Sequence, residues 1–206
     1  RRVLFRSYGP ATDSLMVERC AKSFRERLLD AGYDPNTPMF MTEYGTYCGK
    51  MPKMDDSSET IQAKTFAERT ILALANGIKG ACYISCVDGV MDDKVDGYFS
   101  QMGLIHNGIT KFGNGPWHKR KVFWTYKLLS LYLSQATFDD VLEVTLGVGI
   151  RAFRFNRPGL QPVYFVFLEE QGTARKVPLP VTDKMRVTSL VPVGESGDEY
   201  DRLEDA

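Results

Sequence analysis

The chain has 206 residues, with 26 Lys and Arg against 26 Asp and Glu, so its formal charge is zero. Charges of both signs without a basic excess exclude the electrostatic footprint of a nucleic-acid binder. Apolar residues make up 43% of the chain, too many for general disorder, and no apolar run approaches the roughly 18 residues of a membrane helix. Cys20, Cys48, Cys82 and Cys86 are too scattered for a disulfide scaffold or a paired-cysteine metal site, and they read as core filler.

Residues 1–7 fit no cap or pattern that follows. They are similar to a translated adapter remnant, are expected to be non-native, and are set outside the fold. Thr12 or Asp13 can cap a first helix, in which Met16, Cys20, Phe24 and Leu28, joined by Val17 and Ala21, make one apolar face. Gly32 is placed to stop it. Residues 38–43 are a short apolar run between turn signals, which predicts a buried strand. Asp56 and Glu59 form a capping-box-like start to a second helix carrying Ala63, Phe66, Ala67, Thr70, Ile71 and Leu74, closed by Asn76-Gly77. Residues 80–87 predict a second buried strand. A long loop over 88–117 and a third helix over 119–133, with Val122, Tyr126, Leu129 and Leu133 on one face, follow.

Beyond residue 136 the rhythm changes to short β-branched and aromatic runs at 141–146, 150–156, 162–169, 175–179 and 185–190. The first part therefore predicts two parallel strands with helical crossovers, and the second an all-β unit. Within it, the strand around residue 165 has Val163, Phe165 and Phe167 on one face and Tyr164, Val166 and Leu168 on the other. With both faces apolar, it is expected at the centre of the unit. The acidic segment 196–206 has no apolar period and reads as a frayed or truncated tail.

Glu43 carries the chemistry. It ends a buried strand, and the C-terminal edge of parallel strands is where α/β folds bind ligands and catalyse. Thr42-Glu43-Tyr44-Gly45 after an apolar strand resembles strand seven of the clan A (β/α)8 glycoside hydrolases, whose Glu is the catalytic nucleophile. The order of later features is also similar: a helix, a strand over 80–87, Gly103-Leu104-Ile105-His106-Asn107-Gly108, and the helix containing Lys121-Val122-Phe123-Trp124. The runs 151–156 and 162–168 look like strands of the β-sandwich that many members carry. Two departures stand out. Tyr83-Ile84-Ser85-Cys86-Val87-Asp88 lacks the Trp that ends strand eight in many relatives, and the acid/base Glu has no counterpart.

The resemblance implies an α/β fold, the C-terminal slice of a (β/α)8 barrel over residues 8–136 followed by a small antiparallel β-sandwich over 137–195. It implies retaining hydrolysis of O-glycosidic bonds with Glu43 as nucleophile and the acid/base supplied upstream, so that this piece alone is expected to be inactive. Tyr44, Tyr47, Asp88 and Trp117 are the expected substrate-binding residues, and a carbohydrate is the expected partner. No metal or other cofactor is implied, and localisation stays open. A Ca²⁺ cluster of Asp88, Asp92, Asp93 and Asp96 lacks the EF-hand spacing. The competing reading is a barrel or sandwich that binds glycans without cleaving them.

Overall fold

The computed structural model describes residues 3–8, 15–46, 48, 56–89, 101–108, 117–142, 150–168 and 185–193. The elements run β1 (Val3–Tyr8), α1 (Leu15–Asp30), β2 (Met39–Gly45), α2 (Asp56–Ala75), β3 (Ile78–Tyr83), α3 (Lys121–Leu133), β4 (Thr137–Val141), β5 (Ile150–Arg157) and β6 (Leu160–Leu168). The fold is mixed α/β. The described residues form two three-stranded sheets and no closed barrel.

In the first sheet, ordered β1-β2-β3, both pairings are parallel. The expected direct pairing of the two predicted strands holds. Residues 3–8, set outside the fold on sequence grounds, nevertheless run as β1 beside β2. An unpaired side for β2 was the corollary of that exclusion, and β2 is instead central. No periodicity could reveal this, because a single short strand is recognised only by what it pairs with.

One apolar cluster holds the helices to one face of this sheet. Met39, Met41 and Tyr44 of β2 and Ile78 of β3 meet Val17, Ala21 and Leu28 of α1, Phe66, Ile71 and Leu72 of α2, and Val122 and Leu129 of α3. The expected α1 face packs on the core through Val17, Ala21, Phe24 and Leu28, while Cys20, expected on it, is exposed. Gly32 does end the helix, with a φ of 78°. The Tyr33 amide donates to the Leu28 carbonyl and the Gly32 amide to the Leu29 carbonyl, the paired bonds of a Schellman stop. In α3 the buried residues are Val122, Trp124, Thr125, Leu128 and Leu129, and Tyr126, though 42% exposed, stacks its ring 5.7 Å from that of Phe66 on α2.

The second sheet, β4-β5-β6, is antiparallel. Its first strand starts at Thr137, ahead of the expected run. β6 alternates as predicted: Val163, Phe165 and Phe167 join the main core, while Val166 and Leu168 pack with Ile150 and Ala152 on the other face. Among the described residues β6 lies at the sheet edge and β5 is central, which reverses the expectation. Residues 185–193 contain no strand, so the described part is one sheet rather than two facing sheets. An ion pair at 2.9 Å links Arg151 of β5 to Glu18 of α1. Residues 143–146 of the expected run 141–146, the run 175–179, the Thr12/Asp13 cap and residues 196–206 lie outside the described residues.

Candidate functional site

The position of Glu43 follows from a bulge. β1 pairs Phe5 with Met41 and then Arg6 with Glu43, so Thr42 is an extra residue in β2. Met39, Met41 and Tyr44 are consequently all buried against the helices. Alternation from Met41 across the bulge places Glu43, half-buried, on the opposite face with Phe40. That face is close-set: a Cβ on Gly80 would lie 3.4 Å from the Phe40 ring.

The same bulge overturns the substrate-binding role expected of Tyr44. Its ring is 2% exposed, stacked 5.8 Å from Phe66 and edge-on to Tyr83 at 5.5 Å, and its hydroxyl shares a 2.7 Å hydrogen bond with Thr70 Oγ1. Burial pushes its hydroxyl pKa far up, so it stays a neutral core residue. The next residue, Gly45, allows a close approach, because a Cβ there would sit 2.9 Å from the Ile84 carbonyl oxygen and against Met102. The Gly45 carbonyl accepts 2.8 Å from Nη1 of the fully buried Arg69 on α2.

Beneath the strand end lies a buried polar knot. Gln62 Nε2 donates to the carbonyl of Thr46 at 3.0 Å and to the Tyr83 hydroxyl at 3.3 Å, and the Cys48 thiol donates to Gln62 Oε1. The Tyr83 hydroxyl lies 2.8 Å from the Met102 carbonyl and 3.0 Å from that of Thr46. Burial raises its pKa to about 12, leaving it a donor at neutral pH. Gln62 and Arg69 were not foreseen. The signal was present, since both fall on the stripe Gln62, Phe66, Arg69 and Ala73, where a polar residue at helical spacing has to be buried and paired.

Past β3, whose exit contains a cis Ile84–Ser85 peptide, three extended segments lie side by side. Val87 bridges Ile105 in parallel, and Ile105 bridges Lys119 antiparallel. The Leu104 and Ile105 amides donate to the carbonyls of Ser85 and Cys86, and the Trp117 amide to that of His106 at 2.9 Å. Gly103 has no room for a side chain: a Cβ would come within 2.3 Å of the Asp88 amide nitrogen.

Asp88 is the second correction. It was expected to touch substrate, but its side chain and that of Arg120 are both 0% exposed. Arg120 grips it with two bonds, Nη1 to Oδ1 at 2.5 Å and Nη2 to Oδ2 at 2.8 Å, and the Gly103 amide donates to Oδ1 at 2.8 Å. The pair locks the exit of β3 to the start of α3 and leaves no oxygen for a ligand. Glu59 has a role beyond the expected one. Its Oε2 accepts the Lys121 amide at 3.0 Å and so caps α3 from across the fold, with His118 Nε2 3.7 Å from Oε1; the Asp56 side chain of the expected capping box lies outside the described residues. His106 is buried and structural, accepting the Gly108 amide at Nδ1. Of the cysteines, Cys48 alone fills core, and Cys20, Cys82 and Cys86 are exposed.

Trp117 lies on the surface with 68% exposure. Tyr47 and the acidic residues Asp92, Asp93 and Asp96 lie outside the described residues. Among the described residues no group of three or more His, Cys, Asp and Glu is arranged to hold a metal ion. Among the described residues no helix is long and apolar enough to cross a membrane. No family model and no curated protein sequence matches the chain.

Proposed function

We propose that this chain is the nucleophile-bearing part of a retaining glycoside hydrolase, a slice of a (β/α)8 barrel with a C-terminal β unit, and that Glu43 is its nucleophile. One observation carries the reading. The strand order β1-β2-β3 advances in one direction, so the right-handed crossovers through α1 and α2 put both helices on one face, where α3 joins the same apolar cluster. A doubly wound sheet would reverse direction and carry helices on both faces. Glu43 sits on the helix-free face at the C-terminal end of β2, the position that corresponds to the inside of a barrel at its catalytic mouth.

In this reading the Glu43 carboxylate attacks the anomeric carbon as the bond to the leaving oxygen breaks. A carboxylic acid about 5–5.5 Å away protonates that oxygen and then takes a proton from the water that releases the sugar. The two other buried carboxylates, Asp88 and Glu59, are committed to Arg120 and to the start of α3. Neither is free to act as the acid/base, which in this reading is supplied upstream of this chain.

The test is labelling of the complete protein that carries this chain with 2,4-dinitrophenyl 2-deoxy-2-fluoroglycosides of gluco, galacto, manno and xylo configuration. The dinitrophenolate leaves without protonation, so trapping depends on the nucleophile alone. One sugar of the panel should label Glu43. Glu43→Gln should abolish labelling and reduce turnover by more than about a thousandfold, about 4 kcal/mol of barrier. A label on another carboxylate, or wild-type turnover in the Gln variant, would remove the basis of the proposal.

A further inference from the structure

We infer that Arg69 is a positioning residue for Glu43: from inside α2 it holds the carbonyl of Gly45, two residues past the nucleophile, and so fixes where the carboxylate stands. The inference rests on the glycosidase reading and adds a residue that acts on the nucleophile through the backbone.

The end of β2 needs such support. Just before Glu43, the Thr42 bulge interrupts the ladder to β1. Just after it come Tyr44 and Gly45, and Gly45 has no side chain to restrict its backbone. The carbonyls that follow Glu43 are nevertheless held one after another. The Ile84 amide donates to that of Tyr44 at 2.9 Å, Arg69 Nη1 to that of Gly45 at 2.8 Å, and Gln62 Nε2 to that of Thr46 at 3.0 Å. Arg69 works together with its neighbour on α2. Thr70 Oγ1 shares a 2.7 Å hydrogen bond with the Tyr44 hydroxyl, so one turn of the helix holds both residues that follow Glu43.

Stability alone does not ask for an arginine here. Arg69 is 0% exposed, on a stripe whose members Phe66 and Ala73 belong to the apolar core. Taking a guanidinium out of water is unfavourable, and an apolar side chain would continue the stripe. A residue that works against the simplest core, at the end of the strand that carries the nucleophile, is expected where function needs it. That need is precision. A nucleophile must stand within a fraction of an ångström of its line of attack, and a displacement of about 1 Å lowers the rate about a hundredfold. The guanidinium is a rigid planar donor with fixed N–H directions, suited to pinning a carbonyl at one angle.

The experiment is the kinetics of Glu43 labelling in the complete protein, with the dinitrophenyl fluoroglycoside that labels wild type. The final extent of label counts the folded molecules, the half-saturating concentration reports sugar binding, and the limiting rate constant reports attack by Glu43. Arg69→Met, which keeps the length but removes the donor, should lower the limiting rate constant by about 10- to 100-fold and move the half-saturating concentration by less than about threefold. Arg69→Lys, shorter and without the planar fork, should fall in between, roughly three- to tenfold below wild type. A rate constant in Arg69→Met within about threefold of wild type, with or without a smaller extent of label, makes Arg69 a purely structural residue; it overturns this inference and leaves the glycosidase reading standing. Should the Met variant not fold, the Lys variant decides, and a wild-type rate constant there overturns the inference. If no fluoroglycoside labels Glu43 in the wild-type protein, the glycosidase reading fails and this inference fails with it.

Discussion

Asp88→Asn should be among the most destabilising conservative changes in this protein. The amide keeps the size of the carboxylate but removes its charge from a pair that water does not reach. Asp88 Oδ1 accepts from the Gly103 amide and Arg120 Nη1, and Oδ2 accepts from Arg120 Nη2. In the variant, one of the two positions becomes an NH2 group facing an N–H donor. Arg120 would keep the Gly103 carbonyl at 3.1 Å but lose its counter-charge. Stripping one partner from a buried ion pair costs about 3–5 kcal/mol, since the other charge stays buried and uncompensated. For a chain of this length that corresponds to a fall in Tm of about 6–20 °C. Urea and thermal unfolding of wild type, Asp88→Leu, Arg120→Met and the double variant would complete the measurement. The double variant should be less damaged than the sum of the singles, because it leaves no orphan charge. A loss below about 1 kcal/mol for Asp88→Asn, the value of a solvated surface pair, would refute the reasoning.

Gly103→Ala should cost at least about 1–3 kcal/mol, because the new methyl meets backbone at Asp88, Val87 and Ile105 that cannot swing aside; a neutral melt would show that the three-segment packing is wrong. Glu59→Ala should cost about 0.5–2 kcal/mol by uncapping α3 from across the fold, and Glu59→Gln, which keeps an acceptor, should cost less. Burial pushes the Glu18 carboxyl up, but hydrogen bonds and charge from Lys22 and Arg151 outweigh it and hold its pKa below the ordinary glutamate value. Its stabilising contribution is therefore present above that ordinary value and is lost as pH falls through the lowered one. The stability gap between wild type and Glu18→Gln should accordingly be small at neutral pH, about 1 kcal/mol for a half-buried pair at the protein surface, and should close in acid; a gap that widens in acid would contradict the sign.

The sequence made the parallel core legible because its signals are local. Gly32 and Asn76-Gly77 end their helices as their backbone freedom suggests, with φ of 78° at Gly32 and 79° at Gly77. The alternation in β6 divides Phe165 and Val166 between two clusters as the period of two requires. What stayed hidden depends on partners distant in the chain. Arg120 reads as an ordinary basic residue before a helix until Asp88, 32 residues earlier, is brought against it. Glu59 has the spacing of a local cap, yet its acceptor serves Lys121, 62 residues on. Tyr44 beside a candidate nucleophile reads as a substrate-binding residue, but a single extra residue in the ladder turns it into the core. A bulge of that kind leaves no trace in composition, and it decides which of two adjacent side chains faces the chemistry.

The helix-free face offers a check on the barrel reading that needs no substrate. On β3, Ile78, Ala81 and Tyr83 pack toward the helices, and Cys82 lies on the side of Glu43 and Phe40, exposed. In a closed barrel that side is interior, filled by layers of side chains from the other strands. Thiol reactivity should therefore depend on context. In this chain by itself, Cys82 should react with an aromatic disulfide about as fast as exposed Cys20, while buried Cys48 should wait for unfolding. In the complete protein, further strands closing over the face should slow Cys82 by orders of magnitude and leave Cys20 unchanged. Mass spectrometry of the labelled peptides separates the sites. Equal reactivity of Cys82 in the two forms would mean that nothing closes over the Glu43 face. Glu43 would then stand on an open sheet, without the enclosed cleft that a glycosidic bond needs around its two carboxyl groups.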